Sequence, residues 1–348
     1  MAATTLTIGN ELLSTTMHIV MKEWRDNIYT STAFLEAQTR VHGEGSPTQA
    51  GGTRIVQPLG FGEHSNTTRL QTGYERIDLS VSDVFQPAVY DFAHVVRPIA
   101  ISSEEELTNQ GDAAILSILE NRVTSVANAL KREYVKQMVQ GSVVGWEDWN
   151  TLNGIDEDNG FLEPNAAGGG AQAASVGGVS KSTFSSKTGW NNQFFDGSDS
   201  FNSNGLAGLY DLMVEINAVS AQGNPNVILA SRSGFKNLKR ALQASERYMD
   251  EKSLDGGKMS TTFQGVPIDV EYYMPNAGTT SATTEGSFYI LNMNDVHCLW
   301  DPKGYFDLSD FETVSGEYDV RAAKLRVRGQ LIAKHLGSSG LAVNLDTF

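Results

Sequence analysis

Cysteine is nearly absent from this sequence: its 348 residues include one, Cys298, so no disulfide can form within the chain. Histidine is sparse as well. The six, His18, His42, His64, His94, His297 and His335, lack the short spacing that a zinc site requires, which disfavours a structural metal. No apolar run approaches the roughly 18 residues needed to span a bilayer. The opening MAATTLTIGNELLS has neither the basic start nor the apolar stretch of a secretory signal. The expectation is a protein that avoids membranes and stays in the cytoplasm where it is made. Positive charge is in deficit, with 26 Lys and Arg against 41 Asp and Glu for a net -15. Such a surface repels phosphate, which excludes a sequence-reading transcription factor driven by counterion release. The signatures GxSxG, HExxH and CxxC are also missing, leaving no specific sign of a catalytic centre.

What is present is hydrophobic material at 40% and 34 glycines, with charge at 19%. That composition supports one large core or two modest ones and predicts mixed helix and strand with long loops. Residues 1–50 read as an arm. It has a helical stretch at 17–29 and apolar Trp24, Tyr29, Phe34 and Leu35, and it ends in the loop-forming run HGEGSPTQAGG. From 53 to 101 the pattern is extended, and Ile77, Leu79 and Val81 alternate with Asp78, Ser80 and Ser82. Its polar middle, GFGEHSNTTRLQTGYER, predicts a projecting hairpin, either a lid or a clasp on something outside its own subunit, with the clasp favoured because no catalytic cluster lies nearby to be covered.

The clearest helix follows. Ser102 or Ser103 caps it, Glu104–Glu106 places negative charge in its first turn, and Gly141 ends it. Between them Ile115, Leu119, Val123, Val126, Leu130, Tyr134 and Met138 recur at steps of three or four. Residues 112–140 alone predict a rod of about 40 Å.

Residues 141–205 are irregular, yet Trp146, Trp149, Phe161, Trp190, Phe194 and Phe195 predict a packed insertion, not a linker. Helices are expected at 206–221 and 233–248, with strands at 227–230, 266–273, 288–292 and 296–300. In the final strand, 320–334, odd positions such as Leu325, Val327 and Leu331 are apolar. The even positions Lys324, Arg326, Arg328, Gln330 and Lys334 predict an opposite, basic face for an acidic neighbour or DNA.

Three local patterns invite a chemical reading. In GIDEDNG, Asp156, Glu157 and Asp158 cluster oxygen donors, but Gly160 falls one position early for a calcium loop, so the run reads as a solvated acidic turn. LDGGKMST departs from a phosphate-binding loop at Lys252 and Met259. His297 and Cys298, adjacent on a strand, point to opposite faces and cannot readily exchange a proton.

The order of elements, with the passages GGTRIVQPLGF, ISSEEELTNQGDAAILSILENRVTSVANALKREYVKQMVQG, FQGVPIDVEYYMP, SFYILNMNDVHCLWDPKGYFDLSDFE and RAAKLRVRGQLIAKHLGSSGLAVNL, resembles tailed-phage major capsid proteins of the Hong Kong 97 type. The resemblance covers nearly the whole chain. It implies an α+β capsid fold with an N-terminal arm at 1–50 and an extended β-hairpin loop at 51–98. It further implies a peripheral domain at 99–144 and 316–348 with its spine helix at 103–140, and an axial α/β domain at 145–315. The implied role is structural, not enzymatic, with no cofactor and no metal: a virion shell of hexamers and pentamers around double-stranded DNA, assembled in the host cytoplasm. Implied partners are copies of itself, a separate scaffolding protein, a portal and a decoration protein. Trp24, Tyr29, Phe34, Phe61, Arg69, Tyr74, Arg76, Arg326 and Arg328 are the expected contacts between subunits. Residues 51–100 hold no lysine, so the isopeptide crosslink that some such shells make from this loop is not expected. Two rivals are an encapsulin-like compartment around a cargo enzyme and a soluble hydrolase using Asp156 and Asp158 with a metal.

Overall fold

A computed structural model describes residues 33–60, 67, 69, 71, 73, 74, 76, 84–108, 118–154, 159–164, 175–181, 190–197, 201–220, 223–243, 261–274, 286–314 and 319–345. The expected helix at 17–29, the alternating stretch at 77–81, the carboxylates at 156–158 and the segment 252–260 lie outside these residues.

The described chain opens on helix α1 (Ala33–His42), whose Glu36 lies in the first turn and Arg40 in the last, each complementing the helix dipole. Strands β1 (Arg54–Gly60) and β2 (Phe85–Asp91) pair antiparallel from Arg54↔Asp91 to Gly60↔Phe85. The expected two-stranded excursion is therefore present at its base, with Ile55, Leu59, Ala88 and Tyr90 facing inward. Strand β3 (Ala93–Ser102) leads into helix α2 (Ser103–Thr108) through a capping box. There the Glu105 amide donates to Ser102 Oγ, and the Ser102 amide donates to a Glu105 carboxylate oxygen, both at 3.2 Å.

Helix α3 (Ile118–Val139) spans about 33 Å at 1.5 Å per residue. It closes where the sequence places glycine. Gly141, at φ +80°, turns left-handed and its amide donates to the carbonyls of Lys136 and Gln137. Burial along this helix is graded. Val123 and Val126 are partly covered, whereas Leu130, Tyr134, Val135 and Met138 are fully buried.

Two short parallel strands, β4 (Thr151–Asn153) and β5 (Gly160–Leu162), and a small hairpin of β6 (Ser175–Val176) and β7 (Val179–Ser180) organise the irregular insertion. Its aromatic residues pack as expected: Trp146, Trp149, Phe161 and Trp190 are all at most 1% exposed. Strand β8 (Gln193–Asp196) follows. A single π-helical turn at Phe201–Gly205 then leads into helix α4 (Leu206–Val219), strand β9 (Val227–Ala230) and helix α5 (Arg232–Gln243). The remaining strands are β10 (Thr261–Phe263), β11 (Val266–Val270), β12 (Phe288–Leu291), β13 (Val296–Trp300), β14 (Asp307–Leu308), β15 (Glu312–Thr313), β16 (Val320–Ala333) and β17 (Gly340–Val343).

The strands form two main sheets. One has the order β10-β11-β9-β12-β17-β8, with β9 and β11 parallel. Residues on one face, among them Ile228, Phe288, Ile290 and Ala342, form a core with Leu209, Leu212, Met213 and Ile216 of α4 and Leu238 of α5. The opposite face, with Val227, Leu229, Tyr289 and Leu341, joins the larger core that also contains Phe34 and Tyr134. The other sheet centres on β16, which pairs with β3 over ten positions and also with β13, β14 and β15.

The basic face of the last strand is shorter than its sequence pattern. Lys324 and Arg326 are exposed, but Gln330 is 2% exposed and Ile332, on the same side, is buried. Gln330 is covered by the loop after α3: its Nε2 donates to the carbonyls of Asp91 and Asp148, and its Oε1 accepts from the amides of Asn150 and Leu331. A polar side chain with four bonds satisfied is cheap to bury. Alternation cannot reveal that a distant loop lies on top.

Candidate functional site

Two regions carry the residues expected to reach beyond the subunit. The first is the hairpin stem. Its alternation buries Ile55 and Leu59 and turns the intervening Val56 outward at 58% exposure, with Phe85 at 77% on the partner strand. Beyond the stem Arg69 and Arg76 are exposed, and Tyr74 is 96% exposed. Phe61 lies outside the described residues, as do Trp24 and Tyr29 of the arm. Phe34 does not present its ring outward. It is 0% exposed, 6.5 Å from the ring of Tyr134, in its own subunit's core.

The second region is the exposed end of β16. Arg326 Nε donates to Asp307 Oδ2 at 2.7 Å, and Arg328 is paired with Asp301. Arg328 also donates to the Gly52 carbonyl at 3.0 Å and lies 4.8 Å over the Phe92 ring. Both guanidinium groups therefore hold internal carboxylates, and Arg328 ties the strand to the foot of the hairpin.

Two further arginines, not singled out by sequence, tie α3 to β3 and α2. Arg97 on β3 lies 2.6 Å from both carboxylate oxygens of Glu133 on α3. Arg122 forks onto Glu105 at 2.7 and 2.8 Å and also reaches the Ala100 carbonyl. The guanidinium of Arg122, together with the Ser102 amide, holds the Glu105 carboxyl down at about 2. The signal available in the sequence was the capping box alone; the partners lie 17 and 36 residues apart.

Among the described residues no group of three His, Cys, Asp or Glu could hold a metal. A cleft of about 720 Å³ opens between α1, α3 and the loop at Tyr305, where Glu36, Arg40, Glu44 and Lys131 mix both signs of charge. A histidine pair, His42 and His297 with ring centroids 4.9 Å apart, joins α1 to β13. Burial, then the charges of Lys334 and His42, hold His297 down at about 3. Among the described residues no helix is long and apolar enough to cross a membrane.

No family model and no curated protein matches this sequence. Solved structures do. The capsid asymmetric unit of cyanophage A-1(L) superposes with a TM-score of 0.66 at 13% identity, covering 98% of this chain and 99% of that one. The capsid of Myoviridae phage XM1 gives 0.57 at 12% identity, with 97% and 99% covered. The SrpI encapsulin of Synechococcus elongatus PCC 7942 gives 0.58 at 10% identity, with 98% and 97% covered. Identities this low speak to architecture, and the coverage shows that the architecture is matched end to end in both directions. The chain has the fold of tailed-phage capsid proteins, the Hong Kong 97 type.

Proposed function

We propose that this chain is the major capsid protein of a tailed phage, a structural subunit whose copies assemble into an icosahedral shell of hexamers and pentamers around double-stranded DNA. The observation that carries this reading is the end-to-end match to phage capsid subunits. Exposed apolar side chains on the hairpin stem, Val56 and Phe85, add to it, because a lone subunit gains nothing from them and a neighbour would bury them. The net charge of -15 suits a container wall, since a wall that gripped phosphate would hinder packing and release of DNA. The subunit would act in the virion after assembly in the host cytoplasm. A scaffolding protein, portal and decoration protein complete the proposed set of partners.

The match to an encapsulin supports a second reading, a compartment that holds a cargo enzyme. Electron microscopy of particles from expressing cells, with nuclease treatment of their contents, separates the two. Megadalton shells with protected DNA during infection support the capsid. Shells that hold a single cargo protein and no DNA favour the compartment, and a monodisperse monomer overturns both.

A further inference from the structure

Helices α4 and α5 cover the same face of the six-stranded sheet and divide charge between them. Within α4 the charged residues are Asp211 and Glu215; within α5 they are Arg232, Lys236, Lys239 and Arg240. Helix α4 turns Leu209, Leu212, Met213 and Ile216 onto the sheet. That leaves Leu206, Tyr210 and Val214 exposed at 38%, 56% and 51%, in steps of four that place them in one outward stripe, with the two acids alongside. Helix α5 is amphipathic in the same sense, with Leu238 buried and Arg232, Lys236 and Arg240 exposed at steps of four.

The two helices sit over different parts of the sheet. Helix α4 lies close on β8 and β17, where a Cβ on Gly208 would stand 1.9 Å from the Phe195 ring and one on Gly340 would stand 2.6 Å from Ile216. Helix α5 follows β9, and its Arg232 lies 5.6 Å from the ring of Tyr272, just beyond β11. An acidic, apolar surface thus marks the β8 side of the sheet, and a basic one marks the β11 side.

We propose that α4 of one copy packs against α5 of the next, so that this sheet with its two helices forms a head-to-tail contact. The inference rests on the shell reading and deepens it by naming the surfaces that meet. An α4–α4 contact would oppose four carboxylates, whereas α4 against α5 pairs acids with cations. The lysine and arginine stems can cover Leu206 and Val214 while a cation reaches the Tyr210 ring. A contact between unlike patches on identical chains generates a ring when its rotation closes, which is the symmetry a hexamer or pentamer needs.

The test uses the full chain and reads particle mass by sedimentation, with circular dichroism as a control for folding. Asp211→Lys with Glu215→Lys should lower the assembled fraction about ten-fold by opposing like charges, and Lys236→Glu with Arg240→Glu should do the same. All four substitutions in one chain should restore assembly, because every contact then pairs opposite charges again. If the wild-type chain assembles and either reversal leaves assembly undiminished, the inference fails while the shell reading stands. Failure of the four-fold variant to recover also overturns it, since simple damage to the helices would not be repaired by a second reversal. A wild-type chain that forms no particles overturns the shell reading itself.

Discussion

Tyr134, near the end of α3, donates its phenol hydrogen to Sγ of Cys298 on β13 across 2.7 Å, and both side chains are fully buried. The bond joins the long helix to the sheet centred on β16 inside an aromatic cluster, with the Tyr134 ring 5.1 Å from Trp300 and 5.8 Å from Trp149. Tyr134→Phe keeps the ring and removes the bond, so it should cost about 1 kcal/mol. Tyr134→Ala empties the centre of the cluster and should cost about 3–5 kcal/mol. Urea denaturation of the two variants measures the difference; equal losses would place the stabilisation in the hydrogen bond and not in the packing.

Burial pushes the Cys298 thiol up to about 12, with the Tyr134 bond opposing that shift. The nucleophilic thiolate is thus scarce at neutral pH and shielded from reagents. Native protein at pH 8 should give no reaction with a thiol-specific disulfide reagent over hours, and one thiol per chain should react in denaturant. Rapid labelling of the native protein would contradict the burial described.

Lys181 and Glu163 form an ion pair at 2.8 Å, with side chains 4% and 3% exposed. Lys181 Nζ also donates to the Phe161 carbonyl at 2.9 Å. Desolvation lowers the Lys181 pKa, and the Glu163 charge opposes the drop. Removing one partner strands a buried charge, so Lys181→Met should destabilise the fold by about 3–5 kcal/mol. Lys181→Met with Glu163→Leu should recover most of that loss in a melting experiment.

His297 is neutral in the fold because it is held at about 3, against an ordinary value of 6.5. The unfolded chain therefore binds the proton first as pH falls. Stability from this group is complete above pH 6.5 and declines as pH drops from there toward 3, by up to roughly 1.4 kcal/mol per pH unit. His297→Gln should flatten the acid limb of a plot of melting temperature against pH. An unchanged acid limb would assign acid lability to other groups.

The hairpin ladder is complete between Gly60 and Phe85, so its stem can be closed by a short glycine-containing turn. Replacing residues 61–84 with such a turn should leave the subunit's circular dichroism intact while shells become unstable to heat or fail to form. Shells of normal yield and heat resistance would remove the clasp role proposed for residues 61–84.

Much of this architecture was legible as sequence because it rests on local rules. The capping box at Ser102 and Glu105 fixes where α2 begins, and Gly141 fixes where α3 ends. Strands β9 and β13 fall at the positions their apolar runs predict, since a short continuous apolar run suits a strand buried on both faces. Val126 marks a limit. It shares the helical spacing of Leu130 and Tyr134, but the elements packed on α3 cover its later turns fully and its earlier ones partly.

The sequence by itself determined the class of fold, the elements with a clear apolar pattern such as β9, β13 and β16, and the absence of a disulfide, because periodicity, caps and composition act over a few residues. Tertiary structure alone decided that Phe34 is spent inside the subunit, that Gln330 is a buried four-bond junction, and that Arg326 and Arg328 hold carboxylates of their own chain. It also brought α4 and α5 onto one face of one sheet. Contacts of this kind join residues tens to hundreds of positions apart, and which pairs meet depends on how the two sheets and the long helix pack together.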